Sequence, residues 1–129
     1  MKLCGKIFSF LIYDFDGVMT NNKALLFQNG DEAVFINRAD GLAIEKIKSL
    51  NIEQMIMSSE KNPIVLERAK KLDIFAITGV NDKAKFIKNY TNNNIPLEET
   101  GFVGNDLNDF EIMILAEIKL RLVMHPRKY

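Results

Sequence analysis

Short apolar runs alternate with amphipathic stretches along the chain. Residues 8–13, Phe-Ser-Phe-Leu-Ile-Tyr, are apolar or aromatic at all but one position and read as a buried strand. Glu53–Met57, Phe75–Ile77, residues 100–103 and residues 120–123 read as further core strands. A helix is expected over about residues 41–50, capped by Asp40, with Leu42, Ala43, Ile44, Ile47 and Leu50 as its apolar stripe and Asn51 at its exit. Asn62-Pro63 opens a second helix, with Pro at the first helical position and Ile64, Val65, Leu66, Ala69 and Leu72 facing inward. Asp82 caps a third, which carries Ala84, Phe86, Ile87 and Tyr90, and residues 92–96 follow as a loop. Phe110, Met113, Ile114 and Ala116 belong to a last short helix. Strand alternating with helix predicts an α/β fold: a mostly parallel sheet in the middle of three layers.

One segment breaks the alternation. Residues 24–27 and 33–36 flank Gln28-Asn29-Gly30-Asp31, and Asn-Gly is a strong hairpin turn signal. This hairpin, about residues 24–36, is expected to project from the sheet. Its Leu25, Leu26, Phe27, Val34, Phe35 and Ile36 are too apolar for a lone exposed hairpin, which favours a contact between subunits.

Composition narrows the classes. At 129 residues the chain is long enough for one domain with a real core. Lys+Arg and Asp+Glu are 17 each, so zero net charge gives no electrostatic case for nucleic acid or an anionic membrane. Cys4 is the sole cysteine, which excludes an intramolecular disulfide and reads as a small buried apolar residue. The start of the chain lacks the apolar segment of a signal peptide, and no apolar run approaches about 20 residues. A reducing, cytoplasmic setting is expected.

Candidate chemistry collects after the strands. Asp14, Asp16 and Gly17 follow the first; Ser58 follows Glu53–Met57; Lys83 follows the third strand and its turn; Asn105, Asp106 and Asp109 follow the fourth. In open α/β sheets the carboxyl ends of the strands form one rim, where ligands bind. A pair of acids at one strand end is also what a solvated cap looks like; three concordant segments favour chemistry. Two such carboxylates repel unless a cation lies between them, and Mg²⁺ takes hard oxygen ligands. The set suits phosphoryl transfer through an aspartyl phosphate. Asp14 attacks, Mg²⁺, Lys83 and Ser58 offset the charge on the phosphoryl oxygens, and Asp16 moves the proton.

Asp14-Phe-Asp16-Gly-Val-Met-Thr20, Ser58, Lys83 and Gly104-Asn-Asp-Leu-Asn-Asp109 resemble, in order, the four motifs of the haloacid dehalogenase (HAD) superfamily. With the hairpin, Asn37-Arg-Ala-Asp40-Gly41, Ser58-Ser-Glu-Lys-Asn-Pro63 and His125-Pro126, the chain resembles the sugar-acid phosphatases that lack a large cap. These act on 3-deoxy-D-manno-octulosonate 8-phosphate or nine-carbon relatives, and include the C-terminal domain of acylneuraminate cytidylyltransferases. The resemblance implies a single Rossmann-like HAD domain over residues 1–129. It makes Asp14 the nucleophile and a Mg²⁺ ligand, Asp16 the acid/base and a second ligand, and Ser58 and Lys83 the phosphate-binding pair. It places Asn105 and Asp106 at the metal, gives Asp109 a bracing role, and turns Arg38, Asp40 and Gly41 toward the sugar acid's polar end. It also implies a homotetramer joined through the hairpins. Ser59-Glu60 replaces a glycine-arginine pair common in octulosonate phosphatases, which brings the run nearer the nine-carbon branch. His125 beside Pro126 reads as a loop histidine without special duty.

Two other readings compete. A non-catalytic oligomerisation module would keep the hairpin without needing Asp14, Asp16, Ser58 and Lys83. A phosphoacceptor receiver domain would place its acceptor after a central strand of the chain order, whereas here the candidate nucleophile follows the first.

Overall fold

The computed structural model describes residues 2–3, 6–7, 9–93, 97–104 and 118–121. Two two-residue strands, β1 (Lys2–Leu3) and β2 (Lys6–Ile7), pair antiparallel at the start. The sheet that organises the fold contains β3 (Phe10–Tyr13), β6 (Glu53–Met57), β7 (Phe75–Ile77), β8 (Thr100–Gly104) and β9 (Ile118–Arg121). Its order is β7-β6-β3-β8-β9, and every pairing is parallel. The chain builds outward from β3 to β6 and β7, then crosses back to lay β8 and β9 on the other side of β3. The topological switch therefore lies between β3 and β8, where the Asp14 N–H donates to the Val103 carbonyl at 2.9 Å. A crevice at the carboxyl ends of the strands is expected there.

Side-chain alternation along the strands divides the core in two. On one face Leu11, Tyr13 and Ile56 pack with Ile44 of α1 (Ala39–Lys48) and with Val65, Ala69 and Leu72 of α2 (Ile64–Leu72). On the other, Phe10, Ile12, Met55, Met57 and Phe102 pack with Ile87 of α3 (Lys83–Asn93). Phe10 stacks on Tyr90 with ring centroids 5.5 Å apart, which fixes α3 against the sheet. The three layers match the expected architecture.

Local signals hold to different degrees. β6 and β7 have the expected bounds. Asp82 caps α3, its Oδ1 accepting the Lys85 N–H at 3.0 Å. Asp40 does not cap α1: it lies in the first turn, and Asn37 Oδ1 accepts the Ala39 N–H at 2.9 Å. Short polar side chains two residues upstream compete well for such amides. Pro63 stands one place before α2, whose first N–H, on Ile64, donates to Asn62 Oδ1 at 3.0 Å. The expected α1 stripe is too broad. Ile44 is buried and Ile47 half-buried, while Leu42 and Leu50 are exposed, because this short helix meets the sheet along one narrow line. Leu66 of α2 is exposed for the same reason. The expected helix over residues 110–116 lies outside the described residues.

The hairpin is β4 (Thr20–Leu26) paired with β5 (Glu32–Ile36), separate from the main sheet. It begins four residues before the expected Ala24, and its register shifts between Thr20 and Ala24, where Asn22 adopts a left-handed φ of 63°. Asn tolerates that conformation better than most residues. Leu25, Leu26, Phe27, Phe35 and Ile36 are exposed.

Candidate active site

Asp14 is the first residue beyond β3, and its backbone is held by Val103 of the neighbouring strand. The chain then turns sharply. Gly17 has φ 81°, and its N–H donates to Thr20 Oγ1 at 3.1 Å. A β-carbon would strain that turn, so the Asp-x-Asp-Gly order lets both acids remain at the strand end. Lys83 opens α3 and is almost wholly buried. Its Nζ donates to Asp14 Oδ1 at 3.0 Å and stands 6.0 Å from the centre of the Phe102 ring. An ammonium there is worth more than at the surface, since little water screens it.

Ser58 follows β6 and is buried. Its N–H donates to the Ile77 carbonyl at 3.0 Å, and its carbonyl accepts the Val80 N–H at 3.1 Å. Its Oγ accepts the Glu60 N–H at 3.1 Å. The Gly79 N–H donates to the Glu60 carbonyl at 3.0 Å. The loops that deliver Ser58 and Lys83 are thus laced together by backbone bonds.

Asp14, Asp16 and Ser58 share a cavity of about 300 Å³ with Asn22, Lys23, Glu32, Glu60 and Asn62. The Asp16 carboxyl is held above the usual carboxylate range, chiefly by burial, then by Glu60 and Glu32, while Lys83 pulls the other way.

The structure brings Asp14, Asp16, Ser58 and Lys83 to one edge of the sheet. Arg38, Asp40 and Gly41 lie at the start of α1 and are not among the residues lining that cavity. The Asp40 carboxyl is raised by burial and lowered by nearby Arg68. Asn105, Asp106, Asp109 and His125 lie outside the described residues, as does Cys4. Among the described residues no group of three His, Cys, Asp or Glu side chains could hold a metal, and no helix is long and apolar enough to cross a membrane. Sequence reasoning missed Asn22, Lys23, Glu32 and Asn62 as cavity residues. The Asn21-Asn22 pair was the available signal, since it permits the irregular stretch of β4 that carries Lys23 there.

No family model matches the sequence. Among curated proteins, the chain is 30% identical over 105 residues to the 3-deoxy-D-manno-octulosonate 8-phosphate phosphatase KdsC of Salmonella typhi, a match covering 80% of this chain. It spans 56%, little more than half, of that relative's length. Among solved structures, a Streptomyces avermitilis protein assigned to the HAD family of hydrolases superposes with a TM-score of 0.84 at 32% identity, over 88% of this chain and 66% of that one. The 3-deoxy-D-manno-octulosonate 8-phosphate phosphatase of Moraxella catarrhalis, solved with a magnesium ion, a phosphate ion and a KDO molecule, superposes with a TM-score of 0.80. The two are 26% identical, over 85% of this chain and 64% of that one. The chain is a HAD-fold protein homologous to the KdsC-type 3-deoxy-D-manno-octulosonate 8-phosphate phosphatases.

Proposed function

We propose that the chain is a Mg²⁺-dependent phosphatase of phosphorylated 2-keto-3-deoxy sugar acids, either a nonulosonate 9-phosphate or octulosonate 8-phosphate. The observation that carries this reading is the buried Lys83–Asp14 pair at the topological switch, with Asp16 and Ser58 at the same edge. The Asp14 carboxylate attacks phosphorus and forms an aspartyl phosphate as the sugar alcohol leaves. Lys83 holds Asp14 in place and offsets the charge growing on the phosphoryl oxygens, with the Ser58 hydroxyl donating to one of them. Asp16 protonates the departing alcohol and then takes a proton from the water that hydrolyses the intermediate.

The donor chemistry fits Mg²⁺: hard carboxylate oxygens stand at the strand end, and the acidic wall around Asp16 favours a cation. Asp14 and Asp16, with Asn105 and Asp106, would hold it. When bound, the ion would neutralise phosphoryl charge as a Lewis acid. Arg38, Asp40 and Gly41 stay in the reading as contacts for the substrate's polar end beyond the cavity lining. The single domain of residues 1–129, the homotetramer and the cytoplasmic setting belong to the same proposal.

The test is phosphate release from octulosonate 8-phosphate, two nonulosonate 9-phosphates and hexose phosphates, with and without Mg²⁺. Selective release that Asp14→Asn abolishes is expected. The exposed apolar hairpin favours a second reading, an oligomerisation module without activity. A folded oligomer that releases no phosphate from any of these esters would establish that reading instead.

A further inference from the structure

The hairpin touches the catalytic loop through one polar bridge. Asn62 Nδ2 donates to Glu32 Oε2 at 3.2 Å, across 30 residues of chain. Glu32 opens β5, and Asn62 stands between β6 and α2. The other half of the Asn62 amide is already committed, its Oδ1 accepting the Ile64 N–H. One side chain therefore anchors to α2 and reaches out to the hairpin.

The bridge stands where two cavities meet. Glu32, Glu60, Asn62 and Ile64 line the catalytic cavity and also a neighbour of about 710 Å³ toward the hairpin turn. The Ser58–Asn62 loop is fixed on its inner side by the backbone bonds from Gly79 and Val80. The hairpin wall opposite carries Asn22, Lys23 and Ala24 and is exposed along most of its length. A wall so thinly packed takes its position from a few contacts, among them Val34 on the core and, beside the turn, Glu32 on Asn62.

We infer that the Glu32–Asn62 hydrogen bond is a positioning tie: it holds the hairpin wall against the catalytic loop and so sets the enzyme's grip on the leaving group. The inference rests on the phosphatase reading for its kinetic consequence. Neither residue touches the phosphoryl group; both act through the placement of the wall. A substrate longer than the catalytic cavity meets that wall, so losing the tie weakens binding more than chemistry.

Asn62→Asp tests it. The aspartate keeps the oxygen that accepts the Ile64 N–H, loses the donor, and sets a carboxylate against Glu32. With whichever of octulosonate 8-phosphate and the nonulosonate 9-phosphates the unaltered protein cleaves best, KM is expected to rise about fivefold, the scale of one lost hydrogen bond, with kcat within about twofold. Glu32→Gln combined with Asn62→Asp restores the bond with donor and acceptor exchanged, and KM is expected to return. Amide hydrogen exchange at residues 22–24 and 33–36 is expected to quicken in Asn62→Asp and slow again in the double variant. Unchanged KM and exchange in Asn62→Asp would overturn the tie, as would equal defects in the single and double variants. If the unaltered protein hydrolyses none of these sugar-acid esters, nor p-nitrophenyl phosphate, with Mg²⁺, the phosphatase reading fails, and the exchange measurement alone decides the tie.

Discussion

Lys83 and Asp14 stand 69 residues apart in sequence, yet the lysine Nζ lies 3.0 Å from the aspartate Oδ1 in a buried contact. Each comes from the end of a different element: Asp14 from β3, Lys83 from the first residue of α3. In the proposed mechanism the pair links the nucleophile to the charge it needs. Lys83→Met is expected to lower turnover by at least about 10²-fold, as for loss of a transition-state donor. It should also destabilise the fold by about 3 kcal/mol, since a buried carboxylate loses its cation. Steady-state kinetics and urea unfolding check both; normal turnover in this variant would remove Lys83 from the mechanism.

In the proposed mechanism Asp16 moves the protons. Asp16→Asn is expected to slow the sugar ester by about 10²–10⁴-fold. The first step should suffer less with p-nitrophenyl phosphate, whose leaving group needs no proton, so a rapid burst followed by slow turnover is expected. Rapid quench resolves the two. Full-speed hydrolysis of the sugar ester by the variant would exclude the acid/base role.

The exposed hairpin is expected to bury its apolar residues against another copy. Leu25 and Phe35 are 60% and 78% exposed, too much apolar surface for a strand pair with no cover. Leu25→Asp with Phe35→Asp should turn an oligomer into monomers in sedimentation velocity. An unaltered assembly in this variant would refute the hairpin interface.

Tyr13 makes stability depend on alkaline pH. Its hydroxyl donates to Gln54 Oε1 at 2.7 Å, and the Gln54 amide donates onward to the Ile44 carbonyl. Burial, and then the charge of Asp40, push the phenol from 10.0 up to about 12. The folded state thus holds the proton more tightly than the unfolded chain. This contribution is complete below pH 10 and is lost as pH rises toward 12. Tyr13→Phe should be less stable by about 1–2 kcal/mol at neutral pH, because Gln54 loses its donor. That deficit should narrow between pH 10 and 12 in urea titrations, and a constant deficit would exclude the phenol as its source.

Legibility in the sequence followed burial. β6 and β7 were readable to the residue because apolar runs flanked by polar breaks have one stable placement. That Asp14, Asp16, Ser58 and Lys83 would share one edge of the sheet was readable because each follows such a strand. The face of α1 was not. Leu42 and Ile44 look alike in a helical pattern, and only the line of contact with the sheet buries one and exposes the other. Nor was the start of α1, since Asn37 and Asp40 both carry an oxygen suited to capping, yet Asp40 falls inside the first turn and Asn37 Oδ1 takes the Ala39 N–H.

Among the described residues, the sequence alone determined the order of the core strands and their helices, the parallel sheet and the acids at the end of its first core strand, because periodicity and turn chemistry act over a few residues. Tertiary structure decided what meets across the crevice: Lys83 on Asp14, Asn62 on Glu32, and Asn22 and Lys23 lining the cavity. Those contacts depend on how β8 returns beside β3 and how the hairpin stands over the sheet edge. Distances between segments tens of residues apart are set by packing, which no local pattern encodes.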